Sequence, residues 1–183
     1  MSDAAERFRK IAAAFTDRVQ AVPPEAWSNP APPEGWDARD VVRHLVEWIS
    51  GFWSSSAGIE LPKGPPVDDD PLGAWLALRD GLQAMLDDPE LASREYDMPM
   101  GRMTVEGAMD MICTSDVFLH TWDLARATGL DETLDPDEVH SMLEGMEPFD
   151  EILRSSGHYG PRVEVPAGAD EQTRLIAFIG RQP

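Results

Sequence analysis

The chain of 183 residues has a single cysteine, Cys113, and only two lysines, Lys10 and Lys63. A lone cysteine cannot close an internal disulfide, which excludes a cross-linked scaffold and agrees with a reducing compartment. Basic residues are also scarce: 15 arginines and lysines stand against 34 acidic residues, for a net charge of −19. Such a charge repels nucleic acid phosphates and anionic membrane surfaces, and the few cations are scattered rather than gathered into a binding footprint. Apolar runs are interrupted well before the roughly 18 residues that a membrane span needs. The opening Met-Ser-Asp-Ala-Ala-Glu-Arg is acidic and has no apolar centre, so it does not read as a secretory signal. These absences predict a cytoplasmic protein that binds neither nucleic acid nor membrane. No internal repeat is visible, and the length suits one domain over 1–183 around one core.

What is present is helical periodicity. Ser2 to Val22 spaces Phe8, Ile11, Phe15 and Val19 along one face and meets Pro23-Pro24. A proline-rich connection containing Trp27 follows, from Glu25 to Gly35. A second helix runs from about Ala38 to Ser54, with Asp37 as N-cap, Asp40 at the third helical position and Trp36 placed to staple onto Val41. A long loop, Ala57 to Asp70, rich in Pro, Gly and Asp, then leads to a third helix from Pro71 to about Leu86, capped by Asp70. Ser93 to Met103 alternates polar and apolar residues around Met-Pro-Met-Gly and predicts a short extended segment or hairpin. A fourth helix, capped by Thr104, ends near Gly129. Leu134-Asp-Pro-Asp-Glu-Val139 starts a fifth, with a capping box from Asp135 to Glu138 and a Leu134 to Val139 staple, expected to reach Ser155. The tail has an extended Arg162 to Val165 and a short helical or extended stretch from Glu171 to Ile179.

Asp116 and His120 carry the most information. Four residues on a helix advance about 400° and 6 Å, so both side chains leave one face, a turn apart. Counted at 100° per residue, that face also carries Met109, Cys113, Leu124 and Ala127 and is therefore directed at the core. An inward carboxylate and an inward imidazole need partners, and a divalent metal suits both. His44 is the candidate third ligand, on the border between the apolar side of the second helix (Val41, Leu45, Trp48, Phe52) and its wet side (Arg43, Glu47, Ser50, Ser54). Such a position suits a catalytic centre with an open coordination place. The alternative is that His44 and His120 are ordinary half-buried histidines bonded to neighbours.

The remaining polar candidates read more plainly. Glu47 completes a His-x-x-Glu pair with His44, but no second pair faces the core, so a di-iron site is not expected and Glu47 is a solvated residue. Cys113, about 20° from His120 on the same face, reads as a small core residue near the site. His140 is expected in solvent, His158 in a loop, and Asp123 with Arg126 as a surface ion pair. Trp36 and Trp122 read as packing anchors.

Two motifs, Gly-Trp-x-x-Arg-Asp-Val-Val-x-His at 35–44 and Asp-x-x-x-His-x-Trp-Asp-Leu-Ala-Arg-Ala-Thr-Gly at 116–129, together resemble the DinB-like metal-binding superfamily, in particular its mycothiol-dependent maleylpyruvate isomerase N-terminal domain branch. The closing Tyr-Gly-Pro-x-Val-x-Val-Pro and Gln-Thr-Arg-Leu…Gly-Arg-x-Pro are similar to the ends of small actinobacterial members. The resemblance implies an all-α, DinB-like four-helix bundle, with an additional C-terminal helix and short extended segments. It implies a divalent ion, zinc first and nickel or another metal next, held by His44, Asp116 and His120. Asp116 stands where the isomerases have glutamate and many relatives histidine, and the substantial C-terminal domain of the isomerases has no counterpart here. The activity implied is that of a mycothiol-dependent transferase or isomerase, in which the bound metal activates a small-molecule thiol against a small electrophilic substrate. Arg39 and the 57–70 loop are candidate cofactor contacts, and a homodimer is a candidate assembly that the sequence leaves open. Two other readings use the same residues: a non-catalytic metal-binding or sensor protein, and a metal-dependent hydrolase.

Overall fold

The structure is a computed structural model that describes residues 2–98, 101–155, 157 and 159–183. Helix α1 spans Asp3–Ala21, and the Ser2 hydroxyl accepts the Ala5 amide proton at 3.3 Å as its N-cap. Phe8, Ile11, Phe15 and Val19 are buried, as their spacing predicts. After a 3-10 turn over Pro24–Ser28, α2 spans Ala38–Ala57. Its capping box is complete: Asp37 accepts from the Asp40 amide and Asp40 from the Asp37 amide, each at 2.9 Å. The helix continues past Ser54 because nothing in Ser55-Ser56-Ala57 breaks it, and it stops at Gly58, whose φ of +64° is the left-handed cap conformation. Helix α3, Pro71–Asp87, starts at the Asp70 cap, and a single turn, α4 at Pro89–Ala92, leads into a hairpin. Strands β1 (Glu95–Met98) and β2 (Gly101–Thr104) pair antiparallel, with Glu95 opposite Thr104.

The fourth expected helix departs from the simple reading. Thr104 caps α5 at Val105–Ala108, Met109–Thr114 forms a π-helical turn, and only then does α6 run over Ser115–Thr128 to the left-handed Gly129. A π turn widens the helix by one residue and frees a carbonyl. Here Arg7 of α1 takes up the slack, donating to the Asp110 carbonyl at 3.0 Å and to its carboxylate at 2.8 Å. The same guanidinium reaches Glu138 at 2.8 Å, so the box expected at the next helix is half-made. Asp135 does cap Glu138 at 3.1 Å, but the Glu138 carboxylate serves Arg7 instead of the cap.

The fifth expected helix is also divided. Helix α7 covers Pro136–Met146, a 3-10 turn Glu147–Phe149, and α8 Asp150–Ser155. Pro148 is the cause, since it cannot donate a backbone hydrogen bond. The segment after Tyr159 is not paired as a strand, although the Val163 amide donates to the Ala177 carbonyl of α9, Glu171–Phe178, at 2.9 Å.

Helices α1, α2, α3 and α6 build the four-helix bundle, in which α1 and α2 each pack against both α3 and α6. Phe15 and Trp75 meet edge to face at 4.6 Å in its core, and the Trp75 indole donates to Thr16 Oγ1 at 2.8 Å. The buried hydroxyls of Thr16, Thr121 and Thr128 donate to carbonyls one turn back, so they cost the core little. Among the described residues no helix is long and apolar enough to cross a membrane.

Candidate metal centre

The π turn sets the register of α6 so that Asp116, in its first turn, and His120, one turn on, face α2. There His44 meets them. His44 Nε2 lies 3.2 Å from Asp116 Oδ2, and His120 Nε2 lies 3.5 Å from Asp116 Oδ1. One donor atom from each of the three residues falls within 4.8 Å of the others. A tetrahedral ion with bonds of about 2.0–2.1 Å separates its ligand atoms by roughly 3.3 Å, and each imidazole nitrogen stands at about that distance from one oxygen of the Asp116 carboxylate, a donor set suited to a zinc-sized cation. Exposure falls across the cluster from 26% for the His44 side chain and 25% for Asp116 to 7% for His120. The centre is thus closed on the His120 side and reachable from the other.

His120 is held from behind. Its Nδ1 lies 2.9 Å from Oδ2 of Asp123, and the Asp123 carboxylate is completely buried. A carboxylate accepts only, so Nδ1 carries a proton, and the other ring nitrogen, Nε2, is turned toward His44 and Asp116. This corrects the expected Asp123–Arg126 surface pair. Arg126 instead bonds Glu132 at 2.8 Å and lies over the Trp122 ring, while Asp123 is gripped by Arg181, with Nε at 3.0 Å from Oδ1 and Nη2 at 3.1 Å from Oδ2.

Electrostatics follow from this arrangement. Burial alone would depress the His120 imidazolium, but the Asp116 charge and the Asp123 hydrogen bond outweigh it and raise the pKa above the ordinary histidine value. Burial would likewise raise Asp123, yet the hydrogen bonds and charges of His120 and Arg181 hold it below the usual carboxylate range. Burial pushes the Cys113 thiol well up, and the Asp116 charge adds to that. Tyr159, in the segment after α8, is raised by burial and by Asp116, with Arg154 opposing.

Aromatic rings wall the cluster. The Trp36 ring centre lies 4.9 Å from that of His44 and 5.7 Å from that of His120, nearly parallel to the latter. Trp36 is therefore more than an anchor for its own loop. A small hairpin delivers it: the Ala31 amide donates to the Trp36 carbonyl at 2.9 Å, and Gly35, at φ +79°, makes the turn. Along α2, Trp48 stacks on His44 at 5.8 Å and Phe52 on Trp48 at 5.5 Å.

Of the other candidates, Glu47 is exposed and outside the cluster. Cys113 is fully buried beside the Trp53 indole and feels the Asp116 charge, a small core residue near the site, and it is not among the clustered ligands. Trp122 is a buried anchor. His140 is exposed and pairs with Glu171 at 3.0 Å, whereas His158 lies outside the described residues. Asp68 ties the 57–70 loop to α2, with Arg43 at 2.6 Å and Arg39 at 3.8 Å. Arg181 and Tyr159 carry no signal of a site role in the sequence, and Asp123 pairs with His120 and Arg181 rather than with Arg126. For Asp123 the signal existed, since three residues past His120 lies on the same helix face.

The family model described as mycothiol maleylpyruvate isomerase N-terminal domain matches residues 8–125. Two uncharacterized proteins of Mycobacterium tuberculosis, from strains CDC 1551 / Oshkosh and ATCC 25618 / H37Rv, are each 30% identical to this chain over 174 residues, covering 92% of both chains. No solved structure matches significantly.

Proposed function

The chain belongs to the mycothiol maleylpyruvate isomerase N-terminal domain family and has its mostly helical, DinB-like fold, and from that premise we propose a metal- and thiol-dependent transferase or isomerase acting on a small electrophilic substrate. The residues proposed to hold one divalent ion, zinc in the first instance, are His44, Asp116 and His120. The observation that carries this reading is the convergence of two imidazole nitrogens and a carboxylate within 4.8 Å on one partly open face. When bound, the ion would supply an open coordination position and a positive charge that favours the thiolate form of mycothiol near neutral pH.

The three ligands hold the ion and move no proton themselves. Asp123 keeps the His120 proton on Nδ1, so that Nε2 stays free to coordinate. Trp36 borders both histidines and Trp48 stacks on His44, which holds the two imidazoles in place beside the open face. The buried Cys113, with its raised pKa, is no substitute for an external thiol. In this reading the protein acts as a single domain over 1–183 in the cytoplasm.

Cobalt substitution tests the proposal, because cobalt accepts ligands similar to those of zinc and has an optical spectrum. Mycothiol added to the cobalt protein should produce a sulfur-to-metal charge-transfer band with an apparent pKa well below the roughly 8.5 of a free thiol. The band should be lost in His120→Ala. A protein that binds cobalt, shows no such band and consumes no mycothiol with any electrophile overturns the thiol-dependent reading; hydrolysis of small esters or amides by that protein would point to activated water instead.

A further inference from the structure

We infer that Arg181, in the C-terminal turn, is a positioning residue of the metal centre, acting through Asp123 on His120. The inference rests on the reading that His44, Asp116 and His120 hold a divalent ion. Its basis is a continuous set of bonds from the chain's last residues to a ligand nitrogen. Arg181 binds Asp123 as a fork, Nε to Oδ1 at 3.0 Å and Nη2 to Oδ2 at 3.1 Å. Oδ2 is the same oxygen that accepts the His120 Nδ1 proton at 2.9 Å. A carboxylate held by one hydrogen bond can turn about its last torsion, whereas two parallel bonds from a planar guanidinium fix its plane. The fork therefore sets where Oδ2 sits, and Oδ2 sets the tilt of the imidazole. A ligand ring only slightly misaimed loses affinity, which is why partners behind a metal-binding histidine matter to the site.

Arg181 is itself firmly placed. Helix α9 ends at Phe178, and the Arg181 and Gly180 amides close the turn on the Ile176 and Ala177 carbonyls at 3.0 and 3.1 Å. Gly180, at φ +86°, crosses Gly160 so closely that a Cβ there would lie 2.8 Å from the Gly160 Cα. Arg154 of α8 donates to the carbonyls of both Gly160 and Phe178 and clamps the crossing. Next to Gly160 stands Tyr159, within electrostatic reach of Asp116. The family match ends at residue 125, so the fork comes from outside the matched region yet acts on a ligand inside it.

The test uses the full chain with Arg181→Gln and Arg181→Lys, folding being checked by circular dichroism. Zinc affinity is measured by competition with a chromophoric chelator. The tautomer of His120 is read from its ring nitrogen shifts in metal-free protein, at a pH where the ring is neutral. Arg181→Gln should weaken zinc by about tenfold or more, the scale seen for partners behind a ligand, and move the ring away from the pure Nδ1–H form. Arg181→Lys keeps the charge without the fork and should show the same changes, smaller. Unchanged affinity and unchanged shifts in both variants overturn the inference. If Arg181→Gln does not fold, Arg181→Lys decides alone: a several-fold loss supports the inference and wild-type affinity overturns it. If the wild type takes up no zinc, the metal reading has failed, and the ring shifts still decide whether Arg181 positions His120.

Discussion

His120 Nδ1 and Asp123 Oδ2 stand 2.9 Å apart in the closed side of the bundle, and this contact aims the other ring nitrogen at Asp116 and His44. Everything expected of the site follows from that orientation. One divalent ion per chain should be found by elemental analysis of purified protein, or after reconstitution of the apo form. Asp116→Ala should weaken binding far more than Glu47→Ala, because only Asp116 contributes to the converging donors. Equal losses would show that the carboxylate ligand has been misassigned.

The three proposed ligands were legible because their geometry is local. Asp116 and His120 lie one turn apart on one helix, and His44 sits at the polar-apolar border of another, a position read from periodicity alone. Arg181 was not legible: 58 residues separate it from Asp123, and Arg126, three residues on, offered a nearer partner that sequence rules favour. The π turn at Met109–Thr114 has no single-residue signal, and the contact that accompanies it, Arg7 on Asp110, is tertiary. Pro148 is different. The division of the helix expected from 136 to 155 was written in the sequence as a missing donor and was outweighed by the strong start at Asp135.

Asp123 variants should separate orientation from charge. Asp123→Asn retains shape but replaces one accepting oxygen by a donor, so zinc affinity should fall by about 10- to 100-fold. Asp123→Ala leaves Arg181, 20% exposed, without its partner, and should also destabilise the fold by about 3 kcal/mol, the lower end of the range for breaking a buried pair. Urea unfolding of the apo proteins measures the second effect, and metal competition the first.

Cys113 should be chemically quiet. It is fully buried, and burial together with the Asp116 charge holds its thiol well above the ordinary value. Alkylation of native protein should be slow and should accelerate sharply on unfolding. Cys113→Ser should bind zinc as the wild type does; a large loss would move Cys113 into the set of ligands.

His140 links α7 to α9 and gives a pH signature away from the centre. Its pKa is raised above the ordinary value by the Glu171 hydrogen bond and charge, with Glu144 adding. A raised folded-state pKa means that the contribution to stability is fully present below the unfolded value of about 6.5 and is lost as pH rises through the folded value. A proton NMR titration should place His140 above a free histidine, and Glu171→Gln should lower it. No change in the variant would show that the contact is not maintained in solution.

Gly180→Ala tests whether the C-terminal crossing carries its effect to the metal. At φ +86° an alanine is strained by about 1 kcal/mol. Its Cβ would also meet Gly160 backbone at 2.8 Å, and backbone on both sides of the contact cannot yield as the end of a flexible side chain would. The two segments must separate, which draws the Arg181 fork from Asp123 and loosens the Arg154 clamp. Apo stability should fall by about 2 kcal/mol or more, since overpacking adds to the torsional strain. Zinc affinity should fall with it. Gly168→Ala is the control: a Cβ there meets nothing within 4 Å, so stability should stay within about 0.5 kcal/mol and zinc affinity should be unchanged. If Gly180→Ala loses stability but keeps full zinc affinity, the crossing supports the fold without positioning the ligand.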